Sequence, residues 1–248
     1  MTVIELFPAT PVTEDQFLVH YIDADARSHV VDPGEASKVA FEHALLVRAI
    51  RNNKGQRNTI GKYWSSTTKR HIQFESFLES CWLTIFDFDP TITAMAAQPF
   101  RLTGRVDGAL VDHVPDFFLR RHDRGIVVDV RAEALQDERF AAQVAATQRF
   151  CDQAGFGYEV LNEPELQWWT NVRFLAGYRR PLAAGFDHTD RIVDLATDPV
   201  PFRSLAAFID EPALARAMVL HLCWRQDLIF DLSQRLHDGT LLTARRTN

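Results

Sequence analysis

Val114-Pro115-Asp116-Phe117-Phe118 and Ile126-Val127-Val128-Asp129-Val130-Arg131 are two apolar stretches, each carrying one acid, joined by a turn at His122-Asp123-Arg124-Gly125. The spacing predicts antiparallel strands over residues 113–120 and 126–131. Alternation along the second strand puts Val127, Asp129 and Arg131 on one face and Ile126, Val128 and Val130 on the other. Paired strands lie about 5 Å apart, so Asp116 and Asp129 can reach one point. An aspartate set among valines on a central strand is costly unless it is paired or bound to a cation. The pairing alternative is an internal ion pair of Arg131 with Asp129 or with Asp116.

Upstream, residues 73–86 read as the clearest helix. Phe74, Phe77, Leu78, Cys81, Trp82, Ile85 and Phe86 recur there at three- and four-residue steps. Glu75 and Glu79 fall one turn apart at the border of that stripe, with Arg70 as a basic neighbour for Glu75. The helix follows a polar, acid-free stretch, residues 51–70, that holds Arg51, Lys54, Arg57, Lys62, Lys69 and Arg70. Its first part, residues 51–58, is a loop. Such a stretch is either a solvated surface or a contact for phosphates.

Further out, residues 17–22, 99–103 and 108–111 read as strands, and residues 36–50 as either helix or strand. Residues 137–154 form a second long helix stopped by Gly155, and residues 158–161 return as a strand. Helix, strands, helix and strand in this order give an α/β core with helices covering the sheet. Residues 168–180 read as helical up to Pro181, and Pro199-Val200-Pro201 as a boundary. Short helices over 202–209 and 212–224, then strand-like pieces at 227–230 and 240–243, suggest a small winged-helix-like module.

Composition narrows the class. The 248 residues are 46% apolar, enough for a packed core, and carry a net charge of −6. That charge argues against nonspecific coating of nucleic acid but leaves room for a local basic patch. No apolar run reaches the ~18 residues of a membrane span, and the N-terminus lacks the pattern of a secretory signal. Cys81, Cys151 and Cys223 stand far apart, so neither a zinc site nor a disulfide framework is expected, and a cytoplasmic setting fits. His113 has no second histidine at ligand spacing. His71 reads as a surface or phosphate-contacting residue, and Trp168 and Trp169 as core.

Four passages together resemble the TnsA-like endonuclease subunit of heteromeric DNA transposases. Phe77-Leu78-Glu79-Ser80, with Phe86-Asp87-Phe88-Asp89-Pro90 and Gln98-Pro99-Phe100 after it, is similar to the family's first catalytic helix and following strand. Val114-Pro115-Asp116-Phe117 resembles its metal-binding aspartate motif. Val128-Asp129-Val130-Arg131 falls where the family has x-Val-Lys, and Ala134-Leu135-Gln136-Asp137-Glu138-Arg139 follows as in family members. The likeness spans about residues 57–165.

The resemblance implies a restriction-endonuclease-like mixed sheet flanked by helices. The expected division is a strand and loop extension over 1–55, a nuclease core over 56–170, a helical linker over 171–198 and the winged-helix-like module over 199–248. It implies that Glu79, Asp116 and Asp129 bind Mg2+, with Mn2+ as a substitute, and that Arg131 replaces the family's lysine. Arginine does not give up its proton, but it can hold a phosphate oxygen through two hydrogen bonds. Lys54, Arg57, Lys62, Lys69 and Arg70 would approach the DNA backbone. The implied partners are double-stranded DNA at transposon ends, a DDE-type transposase cutting the other strand and an AAA-type ATPase, in a bacterial cytoplasm at the nucleoid, with no membrane. Two alternatives stand beside this: a degenerate nuclease fold that bridges DNA, and a stand-alone restriction or repair nuclease.

Overall fold

The structure, a computed structural model, describes residues 16–48, 59–180, 188–208 and 211–245. The chain divides into two compact units, Met1–Trp82 with Thr91–Glu163, and Leu83–Pro90 with Pro164–Asn248. In chain order the first unit contains β1 (Phe17–Ile22), β2 (Ser28–Val31), α1 (Pro33–Ala36), β3 (Gly61–Trp64), β4 (His71–Phe74) and the start of α2 (Phe77–Phe88). It continues with β5 (Ile92–Ala97), β6 (Phe100–Val106), β7 (Ala109–His113), β8 (Phe117–Arg121), β9 (Arg124–Val130), α3 (Glu138–Ala154) and β10 (Gly157–Leu161).

One four-stranded sheet has the order β2-β1-β6-β7 and a second has the order β10-β9-β8-β5. The strands of the second sheet are antiparallel except that β10 runs parallel to β9. A parallel neighbour needs a long crossover, and α3 supplies it. Asp137 caps α3 by accepting the Phe140 N–H at 2.8 Å, and Gly155 ends it at φ 72°. The tight turn between β6 and β7 is Asp107-Gly108, both with positive φ, as a two-residue hairpin turn requires.

β6 alternates buried and half-buried positions, so Phe100, Leu102 and Val106 point inward. β9 is buried along nearly its whole length, as a central strand covered on both faces must be. Phe17 and Val19 of β1, Phe100 and Leu102 of β6, Phe118, Val127 and the α3 residues Ala146, Phe150 and Cys151 share one core. Phe41, from a 3-10 turn at Phe41–His43, is fully buried among Phe100, Phe118 and Phe156, at ring separations of 4.7, 5.6 and 6.1 Å.

The second unit contains α4 (Leu166–Leu175), α5 (Thr189–Leu195), β11 (Val200–Pro201), α6 (Phe202–Ala206), α7 (Pro212–Trp224), β12 (Leu228–Ile229) and β13 (Leu241–Ala244). Its strands form an antiparallel sheet of order β11-β13-β12. Buried Asn171 fixes the connection before β13, donating to the Leu232 and Gln234 carbonyls and accepting the Leu236 N–H. No described helix is long and apolar enough to cross a membrane.

The structure is α/β throughout the first unit, and it corrects several local expectations. The helix expected from residue 73 starts at Phe77, because residues 71–74 form β4. Glu75 therefore precedes the helix, and Phe77 is 60% exposed rather than part of the buried stripe. The undecided stretch 36–50 contains, among its described residues, the end of α1, the 3-10 turn and an isolated bridge from Leu45 to Ile22. The expected loop at 51–58 lies outside the described residues.

Gly125 sits where a β-carbon would meet Phe118 at 2.5 Å and Phe156 at 2.9 Å. Overpacking of this kind costs about 1–3 kcal/mol. Gly125→Ala is expected to lower stability by about that amount, measured as a reduced urea midpoint at unchanged slope.

Candidate active site

The register of β8 on β9 pairs Phe117 with Val128, and one further step sets Asp116 opposite Asp129. Asp116 is tied to that strand directly: its Oδ2 accepts the Val130 N–H at 2.7 Å. On the other side, its carbonyl accepts the Gln98 N–H at 2.9 Å, just past the pairing of Ala97 with Phe117. Gln98, Asp116 and Asp129 thus occupy one row across three strands.

Glu79 comes to this row from the first turn of α2. The run Ser76-Phe77-Leu78-Glu79 is a variant of the capping box. Ser76 Oγ accepts the Glu79 N–H at 3.1 Å, and Glu79 Oε2 accepts the Glu75 N–H at 2.7 Å. Burial raises the Glu79 carboxyl pKa, against the pull of the Glu75 N–H, the Ser76 hydroxyl and Arg48. Burial, then the carboxylates of Asp129 and Glu79, push Asp116 well above the usual carboxylate range. The three acids named by the sequence therefore share one electrostatic locus.

Asp129 is 2% exposed and satisfied internally. His113 Nε2 lies 2.9 Å from both of its oxygens, and the Tyr158 hydroxyl donates to Oδ2 at 2.6 Å. Burial and the Asp129 charge raise the Tyr158 pKa, which keeps the phenol a donor. Neither partner was assigned from the sequence. The strand order brings His113, at the end of β7, and Tyr158, in β10, to a residue far from either in the chain, and no local spacing announces it.

Arg131 takes neither alternative expected of it. Its exposed guanidinium donates to the Leu135 carbonyl at 3.1 Å and lies 5.5 Å from the Phe140 ring centroid, with no ion pair to Asp116 or Asp129. Arg48 is the arginine whose charge acts on Glu79 and Asp116. Arg120 clamps Glu42 through two hydrogen bonds, and the Val47 N–H bonds the Gln98 carbonyl at 3.2 Å, which brings the segment to the site. Arg48 bonds Glu75 at 2.6 Å, the acid that the sequence would have paired with Arg70.

Of the expected backbone-contacting residues, Lys54 and Arg57 lie outside the described residues. Lys62, Lys69 and Arg70 are exposed on and after β3. Arg70, His43 and His71 line a groove of about 390 Å³ that is bounded on the far side by Met95, Ala96 and Ala97 of β5. All three cysteines are buried, and none forms a disulfide among the described residues.

Mg2+ takes hard oxygen ligands, and the donor set has the right chemistry in part. Asp116 Oδ1 has no hydrogen-bond partner among the described residues, whereas both Asp129 oxygens are engaged. Gln98 is 4% exposed, and its Oε1 has no partner among the described residues. No group of three or more His, Cys, Asp or Glu among the described residues is placed to hold a metal ion. The site thus fits a hard cation at Glu79 and Asp116, while Asp129 is committed to His113 and Tyr158.

Two measurements probe this locus. Asp116 binds its proton more tightly folded than unfolded, so its contribution to stability falls as pH rises through the raised pKa. Asp116→Asn is expected to flatten that decline in metal-free buffer, with a higher melting temperature than wild type at the alkaline end of a scan from about pH 4 to about pH 8. Tyr158→Phe removes a hydrogen bond to a buried charge and is expected to cost about 1.5–3 kcal/mol in chemical denaturation. No family model matches this chain, and no curated protein is similar to it in sequence.

Proposed function

We propose that the protein is a Mg2+-dependent DNA endonuclease with a restriction-endonuclease-like core, working as the TnsA-like subunit of a heteromeric transposase. The observation that carries this reading is the register that sets Asp116 opposite Asp129, with Glu79 close enough that burial, then the charges of Asp129 and Glu79, push the Asp116 carboxyl upward. The order α2, β5, β8, β9, α3, β10, with β10 parallel to β9, supports the core assignment, with β6 and β7 as an inserted hairpin. Helices α6 and α7 with the β11-β13-β12 sheet support a winged-helix-like module over 199–248.

Phosphodiester hydrolysis needs an activated water and stabilisation of charge on the phosphate. A bound Mg2+, or Mn2+ in its place, supplies both functions. Glu79 and Asp116 are the residues that hold it. Asp129 stands beside Asp116, fixed in orientation by His113 and Tyr158. Arg48 stands in the field of Glu79 and Asp116 and neutralises Glu75. Arg131 donates its side-chain hydrogen bond to a neutral carbonyl, which leaves it able to exchange that carbonyl for a phosphate oxygen. Lys62, Lys69 and Arg70, with Lys54 and Arg57, form the basic approach for double-stranded DNA. A DDE-type transposase and an AAA-type ATPase complete the proposed assembly, placed in a bacterial cytoplasm at the nucleoid.

A second reading, a cutting-deficient nuclease fold that bridges DNA, is favoured by one observation: Asp129 is fully engaged and Arg131 is turned to Leu135 and Phe140. Strand-resolved cleavage of end-labelled transposon DNA with Mg2+ separates the two. Wild type is expected to cut only when the partner transposase is present, and Asp116→Asn to lose detectable cutting. Intact partner cleavage of the opposite strand, with no cut by wild type, would establish the bridging role.

A further inference from the structure

We propose that the Gln98 side-chain oxygen is the neutral third ligand of a divalent-cation site completed by Glu79 and Asp116, with Asp129 held outside the ligand set. This rests on the nuclease reading above and names the donors of its cation.

Gln98 is the least explained residue near the acids. It is 4% exposed, yet its Oε1 has no hydrogen-bond partner among the described residues. Buried polar groups are nearly always satisfied, and an orphaned one at a site calls for an ion or ligand. Its φ is 45°, a left-handed conformation that a β-carbon disfavours. That conformation is held from both sides, by the Gln98 N–H on the Asp116 carbonyl and by the Val47 N–H on the Gln98 carbonyl. Strain maintained in this way clusters at functional sites. The residue also lies in the cross-strand row of Asp116 and Asp129, bonded through its backbone to Asp116.

Charge and chemistry favour the same donor set. Side-chain amide carbonyls are accepted ligands of hard cations. Two carboxylates and a neutral amide balance a divalent ion. Asp129 already receives a hydroxyl donor and stands against the His113 ring, so recruiting it would break both contacts.

Calorimetric titration of the whole protein with Mn2+ tests the assignment without an activity readout. Wild type is expected to bind, and Asp116→Asn to lose binding. Gln98→Met is expected to weaken affinity at least about tenfold, and Gln98→Glu to strengthen it. Asp129→Asn, which removes a neighbouring charge but no ligand, should weaken affinity less than Asp116→Asn and retain binding. Gln98→Gly, whose backbone accepts a φ of 45°, serves as the deletion if Gln98→Met fails to fold. Unchanged affinity in the Gln98 variants, with binding lost in Asp116→Asn, overturns the Gln98 assignment and leaves the nuclease reading standing. Loss of binding in Asp129→Asn as complete as in Asp116→Asn also overturns it. Absence of binding by wild type overturns both.

Discussion

The bond from the Val130 N–H to the Asp116 carboxylate, 2.7 Å long, is the constraint from which the rest of the site follows. It ties an acid at the mouth of β8 to the end of β9 and holds it opposite a second acid. Two carboxylates facing across paired strands repel, and burial sharpens the repulsion. The protein resolves this unequally. Asp129 is given a phenol and an imidazole, and Asp116 is left with one backbone donor and a raised proton affinity. The asymmetry separates an acid whose oxygens are both engaged from one with a single backbone donor.

The surrounding fold serves that arrangement. α3 makes the parallel return of β10 possible, and β10 carries Tyr158 to Asp129. The two sheets and α3 share the core built on Phe100, Phe118 and Phe150. Arg120 and Glu42 fasten the 3-10 turn to β8, and the same segment delivers Val47 to Gln98 and Arg48 to Glu75. The polar contacts at the site are thus spaced by apolar packing behind them.

The local parts of this design were legible in the sequence. Alternation along Ile126-Val127-Val128-Asp129 separated the face of Val127 and Asp129, and the Asp137 and Gly155 signals bounded α3 to within a residue. Phe74 fits a helical period while belonging to β4, and the Ser76–Glu79 cap sets the true start of α2. What could not be read was the set of long-range partners. His113, Tyr158, Arg48 and Gln98 come from four different elements or loops, and only strand order and register bring them to the acids. Arg131 illustrates the converse. Alternation put it on the strand, but β9 ends one residue before it, and its side chain bonds the Leu135 carbonyl and lies against the Phe140 ring instead of pairing with a charge.

The capping role of Glu79 has an evolutionary consequence. Its carboxylate closes the first turn of α2 as well as facing Asp116, so a lineage that abandons the chemistry still needs an acceptor there to keep the helix end intact. Asp116 is under the opposite pressure, because burial and two neighbouring acids disfavour its charge. Decay of such a site should therefore begin at the aspartate and spare the glutamate. A glutamate persisting at this position in a descendant would be a relic of architecture and no sign of a working enzyme.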